Sequence, residues 1–474
     1  MSDARAGGQG IWSGQRQLLT VGLIGLVTAV AFEGLAVSTV LPATAADLRG
    51  LGLYGWAFSA FWLTNILGIT LGGGDADRHG PWRAFLAGVG VFALGLGVAA
   101  AATGMPMLIA ARAIQGFGSG AIGAVVYVVI ARAYPAALHP RMLAIISTAW
   151  VVPGLIGPAL AAWIAETLHW RWVFGGLTVP VLLLAVVAFR PIMALQPVPG
   201  AGADRGRRAW EALRLSVGSL LFLSGLTIGS LPVGIVMSLA GAALTVLALR
   251  HLLPPGALRL VSGPPAVPMV VFATAFAFFG AEVYIPLAIT DVRHASLAAG
   301  ALAISAATLT WTAGSWLQAR LVPRGWRRGL VGIGTLLIAV GILVTALILL
   351  PAMPLYVAAI GWAIGGLGMG LAYTTLSLLM LESAEPGREG SASAALQLTF
   401  TLGTAFGTGV GGAWVALADG GVISLAAAIG IAFGLTLVVV LLAAGGSLRL
   451  PRAGRQRGAA PHEAFDPAAV PPVP

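Results

Sequence analysis

Three ionisable side chains, Glu33, Arg112 and Glu282, stand inside stretches that are otherwise apolar. A charge held at bilayer depth costs about 2.5 to 3.5 kcal/mol on insertion scales, so it normally faces a partner or a water-filled cavity. Each is a candidate for chemistry on that ground. Glu33 lies eight residues before Leu41 in the first apolar run, and Arg112 lies six after Pro106 in the fourth. At about 1.5 Å per residue both sit roughly 9 to 12 Å below the same surface, a spacing that permits a Glu33–Arg112 pair. A buried carboxylate that alternates between an arginine and water can change its proton occupancy, as coupling to a proton gradient requires. A permanent structural ion pair is the alternative, and the sequence leaves both open. Glu282, eight residues before Thr290 in the ninth run, has comparable depth. It is a second proton site, a counter-charge for a cationic substrate, or structural.

The chain that must position these groups has 474 residues, 58% of them hydrophobic and 9% charged, with a mean hydropathy of +0.95. No soluble multidomain protein of this length has that composition. Runs of roughly 20 apolar residues mark transmembrane helices. Six are expected at 18–41, 54–71, 84–103, 107–132, 142–165 and 172–188. Two more lie in 213–231 and 233–250, and a final six lie at 268–289, 297–319, 329–350, 355–380, 391–417 and 422–444. The fold class is an all-α polytopic membrane protein of fourteen helices, with twelve as the alternative. The implied organisation is a tail over 1–17, a six-helix bundle over 18–190 and a Pro/Gly/Arg-rich linker over 191–212. Two additional helices follow over 213–250, then a loop over 251–267, a second six-helix bundle over 268–445 and a disordered Ala/Pro-rich tail over 446–474.

Arginine positions fix the expected orientation, because cytoplasmic loops retain positive charge. All 26 basic residues are arginine, and with the N-terminus inside, 22 of them fall on the cytoplasmic side. Only Arg49, Arg171 and Arg293 fall outside, so both termini are expected in the cytoplasm. The net charge of +10 follows from this bias and calls for no nucleic-acid partner. The arginine-only, Ala- and Gly-rich composition suggests a high-GC bacterium, which places the chain in the cell membrane, multi-pass.

The stretch from Arg112 to Gly120 carries a ridge of Gly116, Gly118 and Gly120, small residues that let a neighbouring helix approach backbone to backbone. It recurs from Trp362 to Gly370 with Gly366, Gly368 and Gly370, but tryptophan takes the arginine's place. A duplicated membrane half with its charge kept on one side suggests a transporter of two repeats with asymmetric chemistry between them.

Several motifs now spell a resemblance covering residues 18–444. After the second helix, Gly73, Asp77, Arg78 and Gly80 match the pattern G-x-L-A-D-R-x-G-R-[RK], with Asp75 at its leucine, Pro81 and Trp82 at its usual basic pair, and Arg83 just beyond. Glu33 stands nine residues before Pro42. Arg112, Gln115, Gly116 and Gly118 match R-x-x-Q-G-x-G, while Gly154, Gly157 and Pro158 begin G-x-x-G-P-x-x-G-G, which ends here in Ala161 and Ala162. Trp170 to Phe174 is similar to the outer end of a sixth helix. The chain thus resembles a major facilitator superfamily transporter, and its six-plus-two-plus-six layout is similar to the 14-helix drug:proton antiporter branch. The resemblance implies proton coupling through Glu33 and Arg112, and leaves Glu282 as either a further coupling site or a cation site. It also implies a cytoplasmic latch at Gly73, Asp77, Arg78, Gly80 and Arg83, and a hinge at Gly154, Gly157 and Pro158.

Aromatic and amide side chains at Phe58, Phe61, Trp62, Gln115, Tyr127, Trp150, Trp311, Tyr373 and Phe400 are candidates to line the cavity. Together with few polar residues they favour a small lipophilic substrate over a sugar, which would need many convergent hydrogen-bonding groups. Two G-x-G-x-x-G matches lie inside spans and read as packing glycines, not nucleotide loops. The six histidines have no ligand spacing and there is no cysteine, so no metal or other cofactor is expected. The first hypothesis is proton-coupled export of lipophilic, in part cationic, compounds by a monomer. Export of an endogenous lipid or secondary metabolite is the runner-up, and a membrane enzyme or non-transporting receptor comes third. An enzyme would need a charged loop cluster at the membrane surface, and these loops are short.

Overall fold

Hydrocarbon offers no water to a bare amide, so an apolar chain crosses a bilayer as helices or as a closed barrel, and runs of this length suit helices. The computed structural model describes residues 10–13, 15–135, 138–195, 205–322, 325–384 and 389–451, and among them it has fourteen helices of spanning length and no strand. Eleven are apolar enough along one unbroken stretch to cross a membrane by composition. The chain is a multi-pass membrane protein. The first six helices are α1 (Gln15–Asp47), α2 (Tyr54–His79), α3 (Pro81–Ala100), α4 (Met105–Ala133), α5 in two pieces (His139–Thr148 and Val151–Thr167) and α6 (Arg171–Met193). A hairpin follows, α7 (Arg205–Thr227) and α8 (Leu231–Leu252). The last six are α9 (Val267–Glu282, continued by Tyr284–Leu287 and a π turn Ala288–Val292), α10 (Leu297–Leu321), α11 (Arg327–Ala346), α12 (Tyr356–Glu382), α13 (Glu389–Asp419) and α14 (Leu425–Ser447). The expected tails over 1–9 and 452–474, and the linker over 196–204, lie outside the described residues.

Successive helices alternate in direction, so α1 begins and α14 ends on one side, here the tail side, opposite the far side. Within the first six, α4 packs on α2 and α3, and α1 packs on α5 and α6; within the last six, α12 packs on α10 and α11, and α9 packs on α13 and α14. The halves meet chiefly along α2 on α13 and α5 on α10, and α1 also touches α10 and the Tyr284–Leu287 turn of α9.

Proline explains where two helices depart from the expected unbroken spans. Pro153 has no N–H for the Ala149 carbonyl, and α5 breaks at Ala149–Trp150, where the freed carbonyl accepts from the Thr28 hydroxyl at 3.3 Å. The helix then runs unbroken through Gly157 and Pro158, so the interruption falls two turns before the expected place. In α9, Pro286 withholds a donor from the Glu282 carbonyl, and the α-helix stops directly after that residue. Two further corrections concern the tail side. The expected loop from Gly73 to Arg78 is the last two turns of α2, because the whole reversal is made at Gly80 (φ 86°) with Pro81 opening α3. Arg205, Arg207 and Arg208, expected in a linker, lie on the first turn of α7.

The glycine ridges work by contact. A Cβ at Gly118 would stand 2.5 Å from the Phe92 nitrogen and 2.7 Å from the Gly88 carbonyl oxygen on α3, whereas one at Gly123 would meet nothing within 4 Å. Gly118→Val is therefore expected to lower the thermal unfolding midpoint in detergent by the equivalent of about 1 to 3 kcal/mol, with Gly123→Val close to the natural chain. Equal shifts for the two would show that the close α3–α4 approach does not limit stability.

Candidate functional site

Arg112 projects from α4 at the level where α1, α2 and α4 converge, and it is 2% exposed. Its Nη1 donates to Glu33 Oε1 of α1 and to Gln115 Oε1 one turn along α4. Its Nε donates to the Ala57 carbonyl of α2 at 3.1 Å, and the guanidinium lies 4.3 Å from the centroid of the Phe61 ring. One cation thereby ties three helices, and each contact offsets part of the cost of burying it. Glu33 is 1% exposed and lies near the midpoint of α1, because that helix continues beyond Leu41 to Asp47. Its Oε2 and the Gln115 Nε2 are buried without a hydrogen-bond partner among the described residues. The pair offers an oxygen that can take a proton beside a cation that cannot readily leave.

The second half repeats the geometry with different chemistry. Trp362, at the position equivalent to Arg112, donates its indole N–H to Glu282 Oε2 at 3.0 Å. The two partners are 80 residues apart, against 79 for Glu33 and Arg112. With tryptophan in the arginine's place, the partner of Glu282 is a neutral indole and not a cation. Trp362 stacks on Phe278 at 4.7 Å, and Trp311 meets Phe278 edge-on at 5.5 Å and Tyr373 at 6.2 Å. Phe400 meets Phe279 at 5.4 Å and Tyr373 at 4.8 Å. This aromatic cluster brings together Trp311, Tyr373 and Phe400 from the expected cavity set. It adds Phe278, Phe279 and Trp362, for which the signal in the sequence was the tryptophan at the arginine's repeat position.

The remaining expected residues fall in three places. Phe58 and Phe61 are buried at 3% and 4% within the first half, with Trp62 edge-on to Phe61 at 5.2 Å. Tyr127 and Trp150 are open, at 47% and 45% exposure, and the Tyr127 hydroxyl hydrogen-bonds to Gln397 of the other half. In the tail-side pattern, Asp77 accepts from Arg132 of α4 at 2.9 Å, and Asp75 pairs with His79 at 2.7 Å, while Arg78 and Arg83 are exposed. Gly157 faces Phe32 of α1, and Gly154 abuts Thr308 of α10, so this motif lies at both the α1 and α10 contacts of α5.

The halves close on each other at the far side. Tyr54 donates across the halves to the Val283 carbonyl at 2.9 Å and Ser59 to the Ala405 carbonyl at 2.9 Å, while Tyr284 donates to the Thr408 carbonyl within the second half. Asp419 accepts from the Gly52 amide at 3.0 Å. The Trp170–Arg171 corner also lies on the far side, where both side chains donate to Asp47, at 3.0 and 2.9 Å, and tie α6 to α1.

A model of the Major Facilitator Superfamily matches residues 21–408 of the chain. A "Probable multidrug-efflux transporter" of Mycobacterium tuberculosis is 28% identical to it over 89% of this chain and 92% of that protein. The "Multidrug transporter protein MdtP" of Bacillus subtilis is 24% identical over 83% and 74% of the two chains. Among solved structures, an auto-inhibited POT family peptide transporter superposes with a TM-score of 0.66 at 17% identity, covering 93% of this chain and 99% of that one. The partially occluded inward-open xylose transporter XylE from E. coli gives 0.60 at 15% identity, covering 90% and 96%. These last two likenesses bear on the fold alone.

The pairing carries a stability prediction. Arg112→Met leaves a buried carboxylate without its counter-charge and is expected to cost about 3 to 5 kcal/mol at alkaline pH, most of it recovered when Glu33→Gln is added. Thermal unfolding of the two single variants and the double variant in detergent measures this. Additive losses would mean that the two side chains do not depend on each other.

Proposed function

Because this chain belongs to the Major Facilitator Superfamily, we propose that it is a proton-coupled exporter of lipophilic, in part cationic, compounds. It works as a monomer by alternating access between its halves, in the cell membrane of a bacterium. The arginine bias supports placing the tail side in the cytoplasm, and the far-side closure then corresponds to an inward-facing state. The multidrug-efflux names of the two relatives support drug-like cargo.

The observation that carries this reading is the Glu33 carboxylate, with one oxygen on Arg112 and the other without a protein donor. Protonation of the second oxygen removes the charge that Arg112 neutralises, which leaves the guanidinium with Ala57, Gln115 and Phe61 and weakens the tie between α1 and α4. A proton taken up on one side and released on the other drives the two arrangements in turn. Cargo is held in the second half. Glu282, bonded through one oxygen to an indole, stands among aromatic rings whose faces attract a cation, and the same rings give neutral compounds an apolar surface.

Two variants test this division in proteoliposomes carrying an imposed pH gradient. Glu33→Gln cannot carry the proton and is expected to abolish uphill export of a lipophilic cation and of a neutral drug alike, with both compounds still bound. Full uphill export by that variant would sink the coupling assignment. Glu282→Gln is expected to weaken transport of the cation by about tenfold or more while sparing the neutral compound. Equal loss of both substrates would make Glu282 a second coupling site, and no loss of either would make it structural.

A further inference from the structure

The two main interfaces between the halves are related by the internal repeat, yet among the described residues only one is covered. Along α2 and α13 the α7–α8 hairpin fills the groove. Ser216 donates to the Leu63 carbonyl at 3.1 Å, the Trp56 indole donates to Thr227 at 3.3 Å, and Phe222 stacks on Phe406 of α13 at 5.3 Å. Leu63 and Ile66 of α2, Ala212, Leu215 and Leu223 of the hairpin, and Leu396 and Leu402 of α13 share one buried apolar cluster.

Along α5 and α10 the packing is confined to the far half. Ala162 clusters there with Leu297 and Ala301, and the contact ends where Gly154 abuts Thr308 and Ser305 donates to the Leu155 carbonyl at 3.3 Å. One turn further toward the tail side, α5 breaks, and its first piece, His139–Thr148, packs against α1 and α4. Four residues from this contact toward the tail side, back along α5 and on along α10, stand Trp150, 45% exposed, and Thr312, half-buried. Thr312 adjoins Trp311 of the aromatic cluster, and the outer rim of α10 here is Trp316 at 70% and Leu317 at 41% exposure. Exposed apolar side chains on α10 therefore stand within two turns of Trp311 of the aromatic cluster.

We propose that the cleft between the tail-side half of α5 and α10 is the portal through which membrane-dissolved cargo reaches the aromatic cluster, while the α7–α8 hairpin seals the equivalent cleft at α2 and α13. The inference rests on the exporter reading and deepens it, since it makes the bilayer leaflet the source of the substrate. The class of compound is one that partitions into hydrocarbon, because the rim at this level offers tryptophan and leucine, with the exposed Arg320 one turn further toward the tail side. The proline-induced break in α5 gives the portal its shape, since the first piece of the helix packs against α1 and α4.

The chain has no cysteine, so Thr312→Cys provides a single thiol at the portal and Val217→Cys provides one on the exposed face of the hairpin. Each variant is measured before and after modification with N-(1-pyrenyl)maleimide, using tetraphenylphosphonium as the cargo. The expected result is that pyrene at position 312 lowers export from proteoliposomes by about tenfold relative to the same unmodified variant. Binding of tetraphenylphosphonium to the modified protein in detergent, read by tryptophan fluorescence, should be unchanged, and pyrene at position 217 should have no effect on export. Export at the unmodified rate with position 312 blocked would overturn the portal, because cargo would then arrive through the aqueous mouth. Loss of detergent binding along with export would also overturn it, by making Thr312 part of the binding site or the seat of a structural lipid. If the natural chain itself fails to export tetraphenylphosphonium while Thr312→Cys binds it normally, the exporter reading is what fails, and the route falls with it.

Discussion

An arginine side chain in hydrocarbon must bring its own surroundings, and the first half of this protein is built to supply them. Five N–H donors and a full charge cannot be left to lipid, so the helices around Arg112 converge until a carboxylate, an amide oxygen, a backbone carbonyl and an aromatic face all lie within reach. That convergence is possible because the adjoining ridge of α4 has almost no side chains. Gly116 and Gly120 lie directly against backbone of α2, and Gly118 lies against α3. Packing density and charge burial are therefore one constraint: bulk on the ridge would push α2 away and leave the guanidinium without Ala57 and Phe61.

The internal repeat keeps that geometry and changes its electrostatics. Glu282 and Trp362 occupy the places of Glu33 and Arg112, but an indole donates one neutral hydrogen bond where the guanidinium brings a charge. The exchange also brings a large π surface, and Trp362 with Phe278 anchors the aromatic cluster around the acid. One ancestral arrangement thereby yields two environments for a buried carboxylate, one neutralised by a fixed cation and one surrounded by ring faces that favour a cation arriving from elsewhere. A division of labour between coupling and cargo needs an asymmetry of this kind.

Backbone chemistry sets the lines along which the halves separate. Each proline that interrupts a helix here frees a carbonyl four residues earlier, and both freed carbonyls lie at functional positions, Ala149 at the mouth of the α5–α10 cleft and Glu282 at the acid itself. Far-side closure relies on the same economy. Tyr54 and Ser59 reach across the interface to backbone carbonyls of the opposite half. Bonds from hydroxyl to carbonyl are strong enough to hold a state and, unlike a buried apolar interface, can be exchanged for water when the far side opens.

Hydropathy, the count of spans, the duplication and the three intramembrane charges were all legible in the sequence, because each depends on residue type and on spacing along one helix. The bilayer narrows the choice of secondary structure so far that composition alone fixes it. What the sequence could not give were relations between helices. It noted the tryptophan at the arginine's repeat position but not its bond to Glu282, since the depth of a side chain does not say which way it points around its own helix. It marked Gly154, Gly157 and Pro158 as a hinge in α5, but not the interruption at Ala149–Trp150, where the Thr28 hydroxyl of another helix takes the carbonyl that Pro153 frees. It read Gly73 to Arg78 as a loop, although a single glycine at φ 86° followed by proline makes the whole turn. Whether the two central helices belong to the machine was likewise a tertiary question. Their sequences are ordinary apolar spans, and only their packing against α2 and α13 gives the two repeat-related interfaces different fates.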